Sequence, residues 1–230
     1  MPETIIQQIK NADSAGRITI AGSLSDDLIT SWLSDDNWKV RNAAVKIIGE
    51  LKLTTYTDTL IKFITDRTPA KFIDRLLGGD YYQVGFIRRN AAHALGCVGK
   101  PSPELTAALL IAIKDRYWEV RAAALEAFQK LYSEEPSTEI VQALIKALQN
   151  RKFEVVAQAV YALGALSPNE TVIRHFQKLY DHPNILVKTA IIGALKTLLK
   201  RGIVTDEKKV NDELNNIFIP GKYTFNNNRI

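Results

Sequence analysis

Five segments of the chain share one pattern: a branched aliphatic residue, a second position that is usually cationic, then small residues on a helical period. They are Val40-Arg41-Asn42-Ala43-Ala44, Ile87-Arg88-Arg89-Asn90-Ala91, Val120-Arg121-Ala122-Ala123-Ala124, Val155-Val156-Ala157-Gln158-Ala159 and Val187-Lys188-Thr189-Ala190-Ile191. The second position falls at 41, 88, 121, 156 and 188, so successive spacings are 47, 33, 35 and 32 residues. Self-similarity at a period of about 20–50 residues marks stacked repeats, in which each unit buries its apolar face only against its neighbours. Such a chain folds as a row, and function is expected along an extended surface.

Apolar and small residues continue each segment at intervals of three and four, which places them on one stripe of a helix. The stripes are Val40, Ala44, Ile47, Ile48 and Leu51; Ile87, Ala91, Ala94 and Leu95; Val120, Ala124, Ala127 and Phe128; Val155, Ala159, Ala162 and Leu163; and Val187, Ile191, Ala194 and Leu195. Gly49, Gly96 and Gly164 recur at one slot, where a helix ends or packs closely on another. A further amphipathic segment precedes each of these helices, near 26–34, 57–65, 103–114, 137–149 and 169–180. Ser102-Pro103-Glu104 and Ser167-Pro168-Asn169-Glu170 offer a Ser cap with Pro at the first helical position, and Pro136-Ser137-Thr138-Glu139 offers a similar start. Asp35-Asp36-Asn37, Asp115-Arg116 and Asp181-His182-Pro183-Asn184 are turn-forming residues between the two helices of a unit.

The pattern resembles the HEAT-repeat family, and within it the short HEAT-like repeats of phycobilisome bilin lyases. The resemblance is carried by Asp115-Arg116-Tyr117-Trp118-Glu119-Val120-Arg121-Ala122-Ala123-Ala124 and by Ile87-Arg88-Arg89-Asn90-Ala91-Ala92-His93-Ala94-Leu95-Gly96, and it covers about residues 25–200. It implies an all-α, right-handed α-α solenoid of about five HEAT-like helix pairs with capping ends. Residues 1–24 form the N-terminal cap, 25–200 the repeats, and 201–230 the C-terminal cap and tail. Arg41, Arg88 and Arg121 resemble the family's repeat arginine, which ties to an acidic turn residue of its own or the next unit. Val156 and Lys188 depart from it, so this ladder is incomplete toward the C-terminus.

The resemblance also implies that the second helix of each unit lines the concave side. Positions off the buried stripe then form a mixed polar groove: Asn42, Lys46 and Glu50; Arg89, Asn90, His93 and Cys97; Glu126 and Lys130; Gln158 and Tyr161; Thr189 and Thr197. The 47-residue spacing carries an insertion at about 66–86 beside the densest part of this groove. Insertions in repeat proteins map to one face, often the binding face. The expected partner-binding residues are therefore Tyr81, Tyr82, Arg89, Asn90, His93, Trp118, Glu126 and Tyr161.

The net charge of +5 is a mild excess without a Lys/Arg tract. Its densest stretch sets Lys62, Arg67, Lys71, Arg75, Arg88 and Arg89 against Asp66, Asp74 and Asp80, which reads as a solvated basic face. A nucleic-acid partner is not expected, since Glu50, Glu119, Glu126 and Glu154 lie near the groove. One cysteine, Cys97, excludes an internal disulfide framework. The chain lacks an apolar run of membrane-spanning length, and Met1 to Lys10 lacks the order of a secretory signal. A cytoplasmic protein is expected.

His93 and Cys97 share a helix face, but a zinc site wants four ligands and His175 and His182 lie two or more units away. As a nucleophile–base pair they lack a third orienting group. Trp38 and Trp118 hold equivalent slots, which fits packing between helices more than stacking on bases. No phosphate-cradling loop, catalytic carboxylate pair or metal cluster is recognisable, so no catalytic residue, metal or cofactor is assigned. The expected function is an adaptor or scaffold that binds another protein through the groove and the insertion. The resemblance supplies an alternative, a bilin-lyase-like protein that handles a phycobiliprotein chromophore; a nucleic-acid-binding solenoid ranks below both.

Overall fold

The computed structural model describes residues 1–65, 85–132 and 136–217. Among them are thirteen α-helices and no strand. Helices α1 (Pro2–Asn11) and α2 (Ser14–Ser23) precede five pairs. These are α3 (Asp26–Leu33) with α4 (Trp38–Leu51), α5 (Thr57–Thr65) with α6 (Phe86–Val98), α7 (Pro103–Ala112) with α8 (Trp118–Leu131), α9 (Thr138–Ala147) with α10 (Phe153–Leu166), and the short α11 (Ile173–Gln177) with α12 (Ile185–Lys200). Helix α13 (Glu207–Asn215) follows the last pair.

The second helices form one layer, with α4 on α6, α6 on α8, α8 on α10 and α10 on α12. The first helices form the other, with α3 on α4, α5 on α6, α7 on α8 and α9 on α10. The fold is therefore an all-α solenoid, as the spacing of the five segments predicts. The stripes close into one continuous core, from Ala44 and Ile48 through Ala124, Ala127 and Phe128 to Ile191, Ala194 and Leu195. Val40 and Leu51, at the ends of the first stripe, are only half-buried.

The recurring glycines lie inside their helices and serve close packing. A Cβ on Gly49 would sit 3.0 Å from the Cα of Ala94, one on Gly96 3.0 Å from the Cα of Ala127, and one on Gly164 2.7 Å from the Cα of Ala194. Each glycine thus meets the alanine of the next unit with no room for a methyl group. The third unit has Gln129 in this slot, and its Oε1 accepts a hydrogen bond from Gln158 Nε2 at 3.1 Å. A polar bridge there takes the place of the bare backbone approach.

The turns follow a rule of their own. Five residues before four of the five branched aliphatics, Val40, Val120, Val155 and Val187, stand Asp35, Asp115, Asn150 and His182. Each accepts the backbone N–H two residues on, from Asn37 (2.7 Å), Tyr117 (2.9 Å), Lys152 (3.0 Å) and Asn184 (3.1 Å), the last onto His182 Nδ1. This is the local bond that makes Asx residues turn formers. The repeat arginines tie these turns to the stack. Arg41 Nη1 donates to the carbonyls of Asp35 and Asp36, and Arg121 Nη1 to those of Asp115 and Arg116. Arg121 Nη2 reaches Asn150 in the next unit at 3.3 Å. Arg88 also reaches forward, with Nε 2.8 Å from Asp115 Oδ2 and Nη2 3.1 Å from Oδ1. Where the arginine is replaced by buried Val156, the next turn carries His182 in place of an acid or amide. The ladder is incomplete toward the C-terminus, as expected.

Helices pack on the first and last pairs among the described residues. Ile9 of α1 is fully buried, and α1 and α2 pack on α4. At the other end Val210 of α13 is buried, and Glu213 accepts from Tyr180 Oη at 2.6 Å and from Gln177 Nε2 at 2.8 Å. Burial, reinforced by this carboxylate, pushes the Tyr180 phenol well above its ordinary range. Ser102 and Ser137 cap α7 and α9 by accepting the N–H groups of Leu105 and Ile140. Ser167 differs from expectation. It closes the end of α10 and its hydroxyl donates to Asn169 O, while Asn169 caps the following 3₁₀ turn at Glu170–Val172. The amide side chain immediately after the proline is the better-placed acceptor.

The glycine seam is tested by paired substitutions. Gly164→Ala should destabilise the chain by about 1–3 kcal/mol in urea unfolding, although alanine is the stronger helix former. Gly22→Ala in α2, where a Cβ would meet nothing within 4 Å, should be neutral or stabilising. Equal gains at both sites would show that the seam is not close-packed.

The buried ion pair gives a second test. The side chains of Arg88 and Asp115 are 4% and 1% exposed. Arg88→Met should cost about 3–5 kcal/mol, because it removes the two-pronged cationic partner of a buried carboxylate. Adding Asp115→Asn, which removes the charge but keeps the turn acceptor, should recover part of that loss. Two additive losses would refute the pairing argument.

Candidate functional site

Each second helix leaves one ribbon uncovered, at positions six and ten beyond its branched aliphatic. These are Lys46 and Glu50 on α4, His93 and Cys97 on α6, Glu126 and Lys130 on α8, and Tyr161 on α10, joined at position two by Arg89 on α6 and Thr189 on α12. The close seam aligns the ribbons so that side chains of neighbouring units pair. His93 Nδ1 lies 3.0 Å from Glu126 Oε2, and Lys130 Nζ lies 2.7 Å from Glu126 Oε1. The hydrogen bond from His93, helped by Lys130 against the opposing effect of burial, holds the Glu126 carboxyl down at about 2. Glu50 is engaged from the N-terminal cap, its Oε2 3.2 Å from Arg17 Nη1.

Arg89 and Lys46 have different surroundings. The Arg89 guanidinium lies 4.3 Å over the Phe86 ring, and its Nε and Nη2 are each 3.4 Å from Asn90 Oδ1. The Lys46 ammonium is pushed below its ordinary range, first by burial, then by Arg89 and by Lys10 of α1. On α10, Tyr161 is 38% exposed, and its ring lies across Gly193 of α12, where an added Cβ would be 3.2 Å from Cε1.

The structure places Arg89, His93, Glu126 and Tyr161 on this ribbon, with His93 and Glu126 in contact. Asn90 requires a correction. It is 7% exposed, and its Nδ2 donates at 2.5 Å to Oδ1 of Asn42, which is 9% exposed. Both belong to the α4–α6 interface, because packing to bare backbone contact draws in side chains that helical spacing alone puts at the edge. Trp118 is half-buried against the core at the start of α8, and Trp38 packs with Phe86 at a centroid separation of 6.3 Å. Tyr81 and Tyr82 lie outside the described residues, as does the insertion up to residue 84. Lys10 and Arg17 are the residues that sequence reasoning missed. Their segments read as caps, and only the unmatched charges of α4 pointed toward them.

Glu126 supplies an orienting carboxylate for His93, which the sequence alone did not reveal. Cys97 is exposed, and no hydrogen bond joins its thiol to His93 among the described residues. Among the described residues no three His, Cys, Asp or Glu side chains are grouped to hold a metal ion. No helix among them is long and apolar enough to cross a membrane.

The architecture defines a class, the α-solenoid built from helix pairs. The chain matches the family model for HEAT repeats over residues 25–129 and 106–196. The two matches overlap and together span most of the chain, so the protein belongs to the HEAT-repeat family. The match is to the repeat itself and does not extend to the bilin-lyase type. A comparison with curated proteins returned no match.

The depressed Glu126 carboxyl fixes the sign of a pH dependence. A folded-state value near 2 against an ordinary value of 4.5 means that the carboxylate contributes stability above about pH 4.5 and loses it as pH falls toward 2. Wild type should therefore exceed Glu126→Gln in stability at neutral pH, by a modest amount for a partly solvated pair. That difference should close between pH 4.5 and 2 in acid-unfolding curves. A gap that persists at the acid end would remove the ion pairing as its cause.

Proposed function

We propose that this protein is a binding adaptor that holds another protein along the exposed ribbon of α4, α6, α8, α10 and α12. The observation that carries this reading is how the side chains divide. The repeat residues are committed to the seam, the turns and the core, whereas Lys46, Arg89, His93, Glu126, Lys130 and Tyr161 line one face in register. HEAT repeats serve broadly as protein-interaction scaffolds, and a row of short units offers a long surface without a deep chamber. Arg and Tyr are residue types that carry interface energy, through forked hydrogen bonding and rigid contact area.

The test is capture from an extract of the native host, followed by mass spectrometry. Tyr161→Ala bait should lose the partners held by wild type, while its melting temperature stays within a few degrees. Lys146→Ala, an exposed change on the outer helix α9, should keep them. Equal capture by all three baits would show that the ribbon is not the binding face. Collapse of Tyr161→Ala on heating would make Tyr161 a packing residue for α12.

A further inference from the structure

The charges on the ribbon do not balance evenly. Its acids are engaged: Glu50 with Arg17, and Glu126 with both His93 and Lys130. Three cations at the N-terminal end are in the opposite condition. Lys10 on α1, Lys46 on α4 and Arg89 on α6 make no ion pair among the described residues. They come from three helices that pack side by side, since α4 contacts both α1 and α6. The Asn42–Asn90 hydrogen bond pins α4 to α6 at this level, with Lys46 one turn beyond Asn42 and Arg89 adjacent to Asn90.

Gathering like charges costs free energy, and a surface that keeps them together without an internal anion is suited to receive one. The arrangement is also preorganised. The Phe86 ring beneath the guanidinium and the Asn90 oxygen against Nε and Nη2 fix the plane of Arg89. Its Nη1 has no partner among the described residues. Lys46 is partly desolvated, so it gains more from an anion than a free surface lysine does.

We propose that Lys10, Lys46 and Arg89 form an anion-receiving site that takes carboxylates of an acidic segment in the protein partner. The proposal rests on the adaptor reading above and adds the chemistry of what is bound. A peptide is favoured over a nucleic acid by what surrounds the site. Glu50 and Glu126 flank it on the same ribbon, and a continuous phosphate backbone running on from the cations would pass directly over them. A short acidic motif places its charge at the cations alone.

The probe is a blocked hexaglutamate peptide, titrated into the isotope-labelled full chain and followed by amide chemical shifts. Binding is expected to move resonances around Lys46 and Arg89. Lys46→Gln/Arg89→Gln should weaken it by about tenfold or more, whereas Lys46→Arg, which keeps the charge, should retain it. Lys146→Gln/Lys178→Gln removes two cations elsewhere and should leave binding within about twofold. Melting temperatures check that every variant is folded. Absence of binding, or equal weakening in both double variants, overturns the site. Tighter binding of a six-nucleotide thymidylate, lost in the same Lys46/Arg89 variant, overturns the acidic-peptide assignment in favour of phosphate. Host-extract capture separates this proposal from its premise. Capture abolished by Tyr161→Ala but untouched by Lys46→Gln/Arg89→Gln sinks the anion site and leaves the adaptor reading standing. Capture indifferent to both sinks the adaptor reading.

Discussion

Adjacent second helices approach until the backbone of one meets the methyl group of the next, with Gly49 on Ala94, Gly96 on Ala127 and Gly164 on Ala194. Small residues permit that approach, and dense interior packing rewards it. The rest of the architecture inherits the spacing. At this separation buried stripes of modest size fill the space between layers, so alanine supplies much of the core. The exposed ribbons also fall within pairing distance, which is why His93 of one unit reaches Glu126 of the next. Larger residues in the seam would push the helices apart and separate those partners.

The turns solve a different problem, the orphan N–H groups at the start of each second helix. One slot accepts a nearby N–H in four units, and aspartate, asparagine and histidine all fill it. What varies is the demand from the preceding unit. Arg88 projects a buried charge forward and meets Asp115, while Arg121 is half-buried, donates mainly to carbonyls and meets the neutral Asn150. Val156 projects no charge and is followed by His182. The identity of the turn residue therefore tracks the electrostatics of the unit before it, as expected where an unpaired buried charge is costly.

Much of this fold was legible in the sequence because the period, the stripes and the caps are local or nearly so. Five recurrences placed the second helices, and Ser102 and Ser137 announced two of the first. What escaped were consequences of how closely neighbours approach. Asn42 and Asn90 sit at the angular edge of the stripe, and only the seam decides that they face each other. Ser167 and Asn169 both had cap chemistry, and the path of the chain after α10 chose between them. For the candidate site, the residue types on the ribbon could be named in advance, but their pairing could not. The His93–Glu126 contact spans two units. The cation group draws on a terminal helix whose sequence carries no repeat signal.

The ribbon also changes character along its length. Its N-terminal part, from α1 to α8, is charged: Lys10, Lys46, Glu50, Arg89, Glu126 and Lys130. From α10 onward the exposed side chains include Tyr161 and Thr189, with Lys196 and Lys200 as the exposed charges of α12, and Ile185 and Leu186 at its start are 46% and 53% exposed. Electrostatic attraction acts over about 8 Å at physiological salt and governs encounter and register, whereas apolar and aromatic contact governs dissociation. On the adaptor reading the two ends divide these tasks, the charged end orienting a partner and the aromatic end retaining it. Raising the ionic strength would then slow association at the first end while leaving retention at the second nearly unchanged, a division that a uniformly charged surface does not produce.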